Sequence, residues 1–201
     1  MIYGGFMGNY INDIKDYINP ECEVLHKIDV NEIDAALMLL ADCLEKERNI
    51  YVFGNGGSSS TASHFQNDFN KGISEYTEKK FRFTCLNDNL PTVMAVANDI
   101  GFEETFRFQL NGKLKPDDVI IAISGSGNSK NVLKAVEYAK EIGCKVIGLT
   151  GFGGGMLKKM SDISLHVPIN SMQITEDIHM VFDHLMMSIF YKTKCGINHI
   201  K

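Results

Sequence analysis

His64 and Asp68 stand four residues apart in the stretch GNGGSSSTASHFQNDF, which runs from Gly54 to Phe69. On a helix that spacing puts both side chains on one face, where an imidazole and a carboxylate can share a proton or a cation. A second group lies far downstream: ITEDIHMVFDHLMM brings Glu176, Asp177, His179, Asp183 and His184 into nine residues. Glu176 and His184 are two turns apart and differ by only about 80° around a helix axis. With His64 and Asp68 they make two histidines and two carboxylates, a zinc-like ligand set if the helices meet. Glu176, His179 and Asp183 fit an i, i+3, i+7 face still better, and spacing alone does not choose between the sets.

Two loops offer a different chemistry. GNGGS begins at Gly54 and ISGSGNSKN at Ile123, each directly after an apolar run. Neither is a nucleotide loop. Both lack the Gly-Lys-Ser/Thr of a Walker A sequence, and Ser59 and Lys130 occupy the third-glycine positions of a dinucleotide fingerprint. What remains is a hydroxyl-rich, largely uncharged cradle. Ser124, Ser126 and Ser129 can donate O–H groups, and the amides of the next helix start point the same way, which suits a small phosphomonoester. One such loop is an ordinary serine-capped turn; two at successive strand exits favour a ligand.

The elements that must position these residues follow from periodicity. Met7, Tyr10, Ile11, Ile14, Tyr17 and Ile18 recur at helical spacing, with Pro20 as a stop. Asp29 and Glu32 form a candidate capping box for a second helix of about 17 residues, with Ile33, Ala36, Leu37, Leu40 and Leu44 on one face. After Arg48, short apolar runs at Ile50–Phe53, Phe81–Leu86, Val119–Ile123, Val146–Leu149 and Ile163–Val167 read as strands. Helices are predicted between them at about 59–71, 90–97, 129–142 and 155–161, with a final one at about 174–192. This alternation predicts an α/β chain with an open, mostly parallel sheet sandwiched by helices. Residues 1–47 are expected to form a helical N-terminal appendage that packs on its own sheet or on partner subunits, the second being favoured because the sheet's helices already cover both faces, and residues 48–201 the ligand-binding domain.

GNGGSSSTASHF, VANDIGFEETF, ISGSGNSKNVLKAVEYAKEIGCKVIGLTG and EDIHMVFDH together resemble the phosphoheptose isomerases of the SIS (sugar isomerase) fold, over nearly the whole chain. The resemblance implies a three-layer α/β/α sandwich around a five-stranded sheet, and a homotetramer with active sites between subunits. It also implies a sedoheptulose 7-phosphate substrate and, in some members, bound zinc (Zn2+). Carried over by position, Ser124, Ser126 and Ser129 hold the phosphate, in a loop that includes Gly125. Asn55 and Ser58, in the loop with Gly56 and Gly57, lie near the sugar, and Asp99 binds sugar hydroxyls. His64 and His184 match the family's two site histidines, and His179 a less central one. The chain departs from the family's usual pattern at three places: Asp68 replaces Glu, Glu176 replaces Gln, and Gly125 replaces Thr. Aspartate reaches about 1.5 Å less far. Glu176 adds a negative charge that tightens a divalent cation and repels a phosphate placed too near.

Isomerisation through an enediol needs a base near carbon, an acid at oxygen and stabilisation of the developing enolate. Asp68 is assigned as base and His184 as acid/base. The metal ligands would be His64, Asp68, Glu176 and His184, and Glu176 would also face substrate. Two alternatives stay open: an isomerase for another sugar phosphate, and a non-catalytic sugar-phosphate sensor or partner-binding tetramer related to the replication-initiator-associating protein.

Composition bounds these readings. The formal charge is −5, with ten acids against four bases in residues 1–50, so there is no basic footprint for nucleic acid. No apolar stretch reaches the roughly 20 residues of a membrane span. Five scattered cysteines without a CxxC pair read as reduced thiols, which points to the cytoplasm.

Overall fold

The computed structural model describes residues 9–198; Met7 and His199 lie outside them. Two helices, α1 (Ile11–Leu25) and α2 (Val30–Lys46), precede β1 (Asn49–Gly54). Then come α3 (Gly57–Asn67), continued by a π-helical turn over Asp68–Ile73, β2 (Arg82–Cys85) and α4 (Leu90–Asp99). A 3-10 turn (Phe102–Glu104) and α5 (Thr105–Leu110) lead to β3 (Val119–Ser124) and α6 (Lys130–Ile142). The chain closes with β4 (Lys145–Thr150), α7 (Gly155–Met160), β5 (Ile163–His166) and the long α8 (Met172–Lys194).

The five strands form one sheet in the order β2-β1-β3-β4-β5, every neighbour parallel. Strand β3 is buried along its whole length, whereas edge strand β2 alternates exposed and buried. Successive side chains of a strand point to opposite faces, so β1 splits between two cores. Ile50 and Val52 pack with Ala36 and Leu40 of α2, Phe65 of α3, and Ile178 and Phe182 of α8. Tyr51 and Phe53 pack on the other face with Phe106 of α5, Val132 and Val136 of α6, and Leu157 of α7. The result is a three-layer α/β/α sandwich.

The N-terminal helices differ from expectation. Helix α2 covers its own sheet: Ile33, Ala36, Leu40, Cys43 and Leu44 are all buried. Asp29 caps α2 by accepting from the Asn31 amide at 2.9 Å. Glu32 instead accepts from the Ser164 amide of β5 at 2.7 Å, tying helix to sheet rather than closing a capping box. Helix α1 runs on through Pro20. The proline forfeits one backbone bond, but Val24 inserts into the core beyond it and the Tyr17 hydroxyl donates to the Asp177 carboxylate of α8. Tertiary contacts on both sides of the proline override the local stop signal. Most of the apolar face of α1 stays in solvent: Tyr10, Ile11, Ile14 and Ile18 are about half exposed.

The π-helical turn is locked by its neighbours. Asn70 pairs with both backbone groups of Phe83 in β2, at 2.8 and 2.9 Å. Phe69 is fully buried, its ring 4.7 Å from Phe83, 5.1 Å from Phe81 and 5.9 Å from Phe190 of α8. Replacing Phe69 with Ala empties the joint between α3, β2 and α8. It should cost about 3–5 kcal/mol in guanidinium unfolding; a loss below about 1 kcal/mol would show that this joint does not hold the helices.

Candidate active site

The strand order switches direction between β1 and β3, whose following helices lie on opposite faces. The crevice beyond the carboxyl ends of such strands is where open α/β sheets hold ligands. Here it is a hollow of about 260 Å³, walled by residues 55–58, residues 123–126, Ser129, Met172 and Glu176. The N-termini of α3, α6 and α8 all open onto it, so helix-start amides and three positive dipole ends converge, and none of the described residues in the wall is cationic.

Each wall has a reason for its shape. Ser124, buried at the end of β3, places its Oγ 3.0 Å from the Ser129 Oγ. Ser126 is exposed and accepts from the Asn128 amide at 3.2 Å. Gly127 turns the loop at φ 65°, and a Cβ there would stand 2.0 Å from the Gly154 carbonyl oxygen. Only glycine fits, and the glycines before α7 therefore press directly on the serine loop. A Cβ on Gly57 would lie 2.5 Å from the Glu176 carboxylate, so Gly57 is what lets α8 deliver that acid. The Met172 thioether occupies the space in which a side chain at Gly125 would begin.

Asn131, which the sequence reading did not single out, joins the walls. Asn55 and Asn131 exchange amide hydrogen bonds at 2.9 Å in each direction, and Asn131 also donates to the Thr105 hydroxyl at 3.1 Å. Asn87 similarly clasps both backbone groups of Gly54. Ser58 is buried in the wall. Asp99 stands elsewhere, exposed at the end of α4 and accepting from Asn98, and does not line the hollow of its own chain. Of the basic residues of 71–82, Lys71 pairs with Glu75, Lys79 with Glu45 and Arg82 with Glu47, while Lys80 donates to the backbone carbonyls of Ser74 and Thr77.

The acid–base residues gather where α3 and α8 cross. His64 Nε2 lies 3.1 Å from His184 Nε2 and 3.3 Å from the Asp68 carboxylate, and His184 Nε2 lies 3.9 Å from Asp68. Asp183 completes this group, 3.9 Å from His64. One ligand atom from each of the four falls within 4.8 Å of all the others. Tetrahedral ligands about 2.1 Å from zinc stand about 3.4 Å apart, so two imidazoles and the carboxylates fit such an ion with small adjustments. Glu176 is not among the four; its carboxylate faces Gly57 in the hollow. Asp183 came from one of the two sets that spacing left open and His184 from the other. The phase of α8 against α3, which no single-helix pattern contains, selects the combination. Asp183 is fully buried, and neither carboxylate oxygen has a hydrogen-bond partner. Burial, and secondarily the charge of Asp68, push it up to about 8.

Residues 10–151 match the SIS domain family. The chain is 39% identical over 148 residues to the phosphoheptose isomerase of Helicobacter pylori (strain P12), covering 74% of this chain and 77% of that one. It is 32% identical over 189 residues to the phosphoheptose isomerase of Geotalea daltonii, covering 92% and 98%. The solved structure of a phosphoheptose isomerase from Francisella tularensis superposes with a TM-score of 0.84 at 29% identity, over 92% of this chain and all of that one.

His179 lies beneath the site rather than in it. It is fully buried near Thr150 and Phe182, and burial pushes it down to about 4 from an ordinary 6.5. Neither ring nitrogen makes a well-formed hydrogen bond. The unfolded chain therefore binds this proton more readily, so the stability His179 contributes is present above pH 6.5 and lost as pH falls towards 4. The loss should reach about 3 kcal/mol. Denaturant unfolding at pH 7 and pH 4.5 should show a smaller acid loss for His179→Leu than for the parent; equal losses would overturn this account.

Proposed function

Because the chain belongs to the SIS-domain family of phosphoheptose isomerases, we propose that it interconverts sedoheptulose 7-phosphate and D-glycero-D-manno-heptose 7-phosphate through an enediol. The observation that carries this reading is the meeting of His64 and His184, 120 positions apart in the chain, at 3.1 Å beside a serine-lined hollow.

Ser124, Ser126 and Ser129, with the first amides of α6, hold the phosphate. A dianion is thereby gripped through hydrogen bonds and dipoles, and its binding energy aligns the reacting carbons at the other end of the sugar. Asp68 removes a proton from C1 of the ketose while His184 donates one to the C2 oxygen. Asp68 then returns its proton to C2, and the C1 hydroxyl gives its own back to His184, leaving the aldose. Glu176 and Asn55 face the sugar hydroxyls. A zinc ion, for which His64, Asp68 and His184 offer donors, would supply Lewis-acid polarisation of the carbonyl. Asp68 cannot serve well as both tight ligand and free base.

We assign a homotetramer with active sites shared between subunits. The exposed apolar face of α1 supports it, as does a hollow of about 650 Å³ walled partly by Val181, Leu185 and Ile189 beside the exposed His184. So does Asp99, which stands away from its own hollow and is free to serve a neighbour's. No helix among the described residues is long and apolar enough to cross a membrane, and all five cysteines are free thiols; we place the enzyme in the cytoplasm. One observation favours a second reading, an isomerase for a different sugar phosphate: Glu176 brings a carboxylate into the hollow meant for an anion.

Turnover on C5–C7 ketose phosphates tests the assignment. His184→Ala should lower kcat by about 10²–10⁴-fold with KM little changed. Ser124→Ala should mainly raise KM, by roughly tenfold or more. Binding without turnover across the whole panel would make the protein a sugar-phosphate sensor.

A further inference from the structure

We propose that Asp183 is the anionic ligand of a divalent cation held with His64 and His184, which leaves Asp68 free to act as the base. The inference deepens the isomerase reading and rests on its metal site. Burial separates the two aspartates. The Asp183 side chain is 0% exposed, whereas that of Asp68 is 10% exposed and meets both imidazoles, at 3.3 and 3.9 Å, where the His64 and His184 side chains are 41% and 58% exposed. A carboxylate sealed from solvent cannot reach a sugar carbon, so Asp183 is no base. Nor is it a structural hydrogen-bonding residue, since both its oxygens lack partners. A buried carboxylate without partners is expensive, and the groups grouped with it are themselves metal donors: His64 Nε2 at 3.9 Å, with His184 and Asp68 inside the same 4.8 Å cluster.

A cation placed there neutralises the buried charge from the outer side and turns the two imidazoles away from a contact in which one must act as acceptor. Two nitrogens and one carboxylate oxygen suit zinc and its borderline neighbours, with a coordination position left towards solvent. The same division resolves the double duty of Asp68.

The test measures zinc binding by the chelator-stripped full-length protein in competition with a chromophoric chelator, using zinc alone as probe. Asp183→Asn should weaken zinc binding by about 100-fold or more. Asp68→Asn should weaken it by less than tenfold while abolishing turnover, and Asp177→Asn, a nearby acid outside the cluster, should leave it within threefold. Cobalt in place of zinc should give a tetrahedral visible spectrum that Asp183→Asn changes. Should Asp183→Asn fold poorly, Asp183→Leu keeps the test open: it removes the buried charge, and its melting temperature should no longer rise with zinc as the parent's does. Zinc affinity of Asp183→Asn within threefold of the parent, or a larger loss in Asp68→Asn, overturns the division of roles while the metal reading stands. A parent protein that binds no zinc overturns both.

Discussion

The apolar contact of α3 and its π-helical turn with α8 is the constraint on which the site depends. Phe65 and Phe69 from one side, and Ile178, Phe182, Met186 and Phe190 from the other, belong to one core under the sheet. Three of the four cluster residues sit next in sequence to one of these anchors, His64 before Phe65, Asp68 before Phe69 and Asp183 after Phe182, and His184 follows directly on Asp183. Burying an aromatic ring removes about 150–250 Å² from water, so several rings together can offset an acid placed in the core. The polar groups do not bring the helices together. They are carried into contact by side chains that have no chemistry of their own.

Much of this was legible in the sequence, for a physical reason. Strands buried on both faces leave unbroken β-branched runs, and tight exits to helices leave glycine and serine, so the sheet and both cradle loops could be read directly. The serine loop needed no tertiary knowledge, because Ser124, Ser126 and Ser129 lie within six residues. Other features could not be read. Pro20 signals a stop that Val24 and Tyr17 override from outside the helix. Short α5 buries Phe106 and Leu110 but offers too few turns for a periodic pattern. Asn131 looks like any residue in the first turn of a helix until Asn55 is placed opposite it. Asp183 joins the cluster through the rotation of α8 about its own axis, which only packing determines.

The hollow carries a field that favours an anion, and it is built from neutral parts. Three helix N-termini and a set of hydroxyls supply the field, and none of the described residues in the wall is a lysine or arginine. Glu176 runs against that field, and Gly57 is the position that admits it. Under the proposed function a carboxylate there would accept hydrogen bonds from sugar hydroxyls and repel a phosphate seated on the wrong side, so that one charge would orient the substrate end for end.

The reciprocal amides of Asn55 and Asn131 fasten the first loop to the second and, through Thr105, to the layer on the far face of the sheet. Glu176 and Met172 approach from α8 and take no part in that clasp. In the proposed function, the grip on the charged tail and the wall that meets the carbon chain are thus separately adjustable modules. Descendants of this chain could change the sugars they accept by exchanging a few residues on one helix, without rebuilding the part assigned to phosphate.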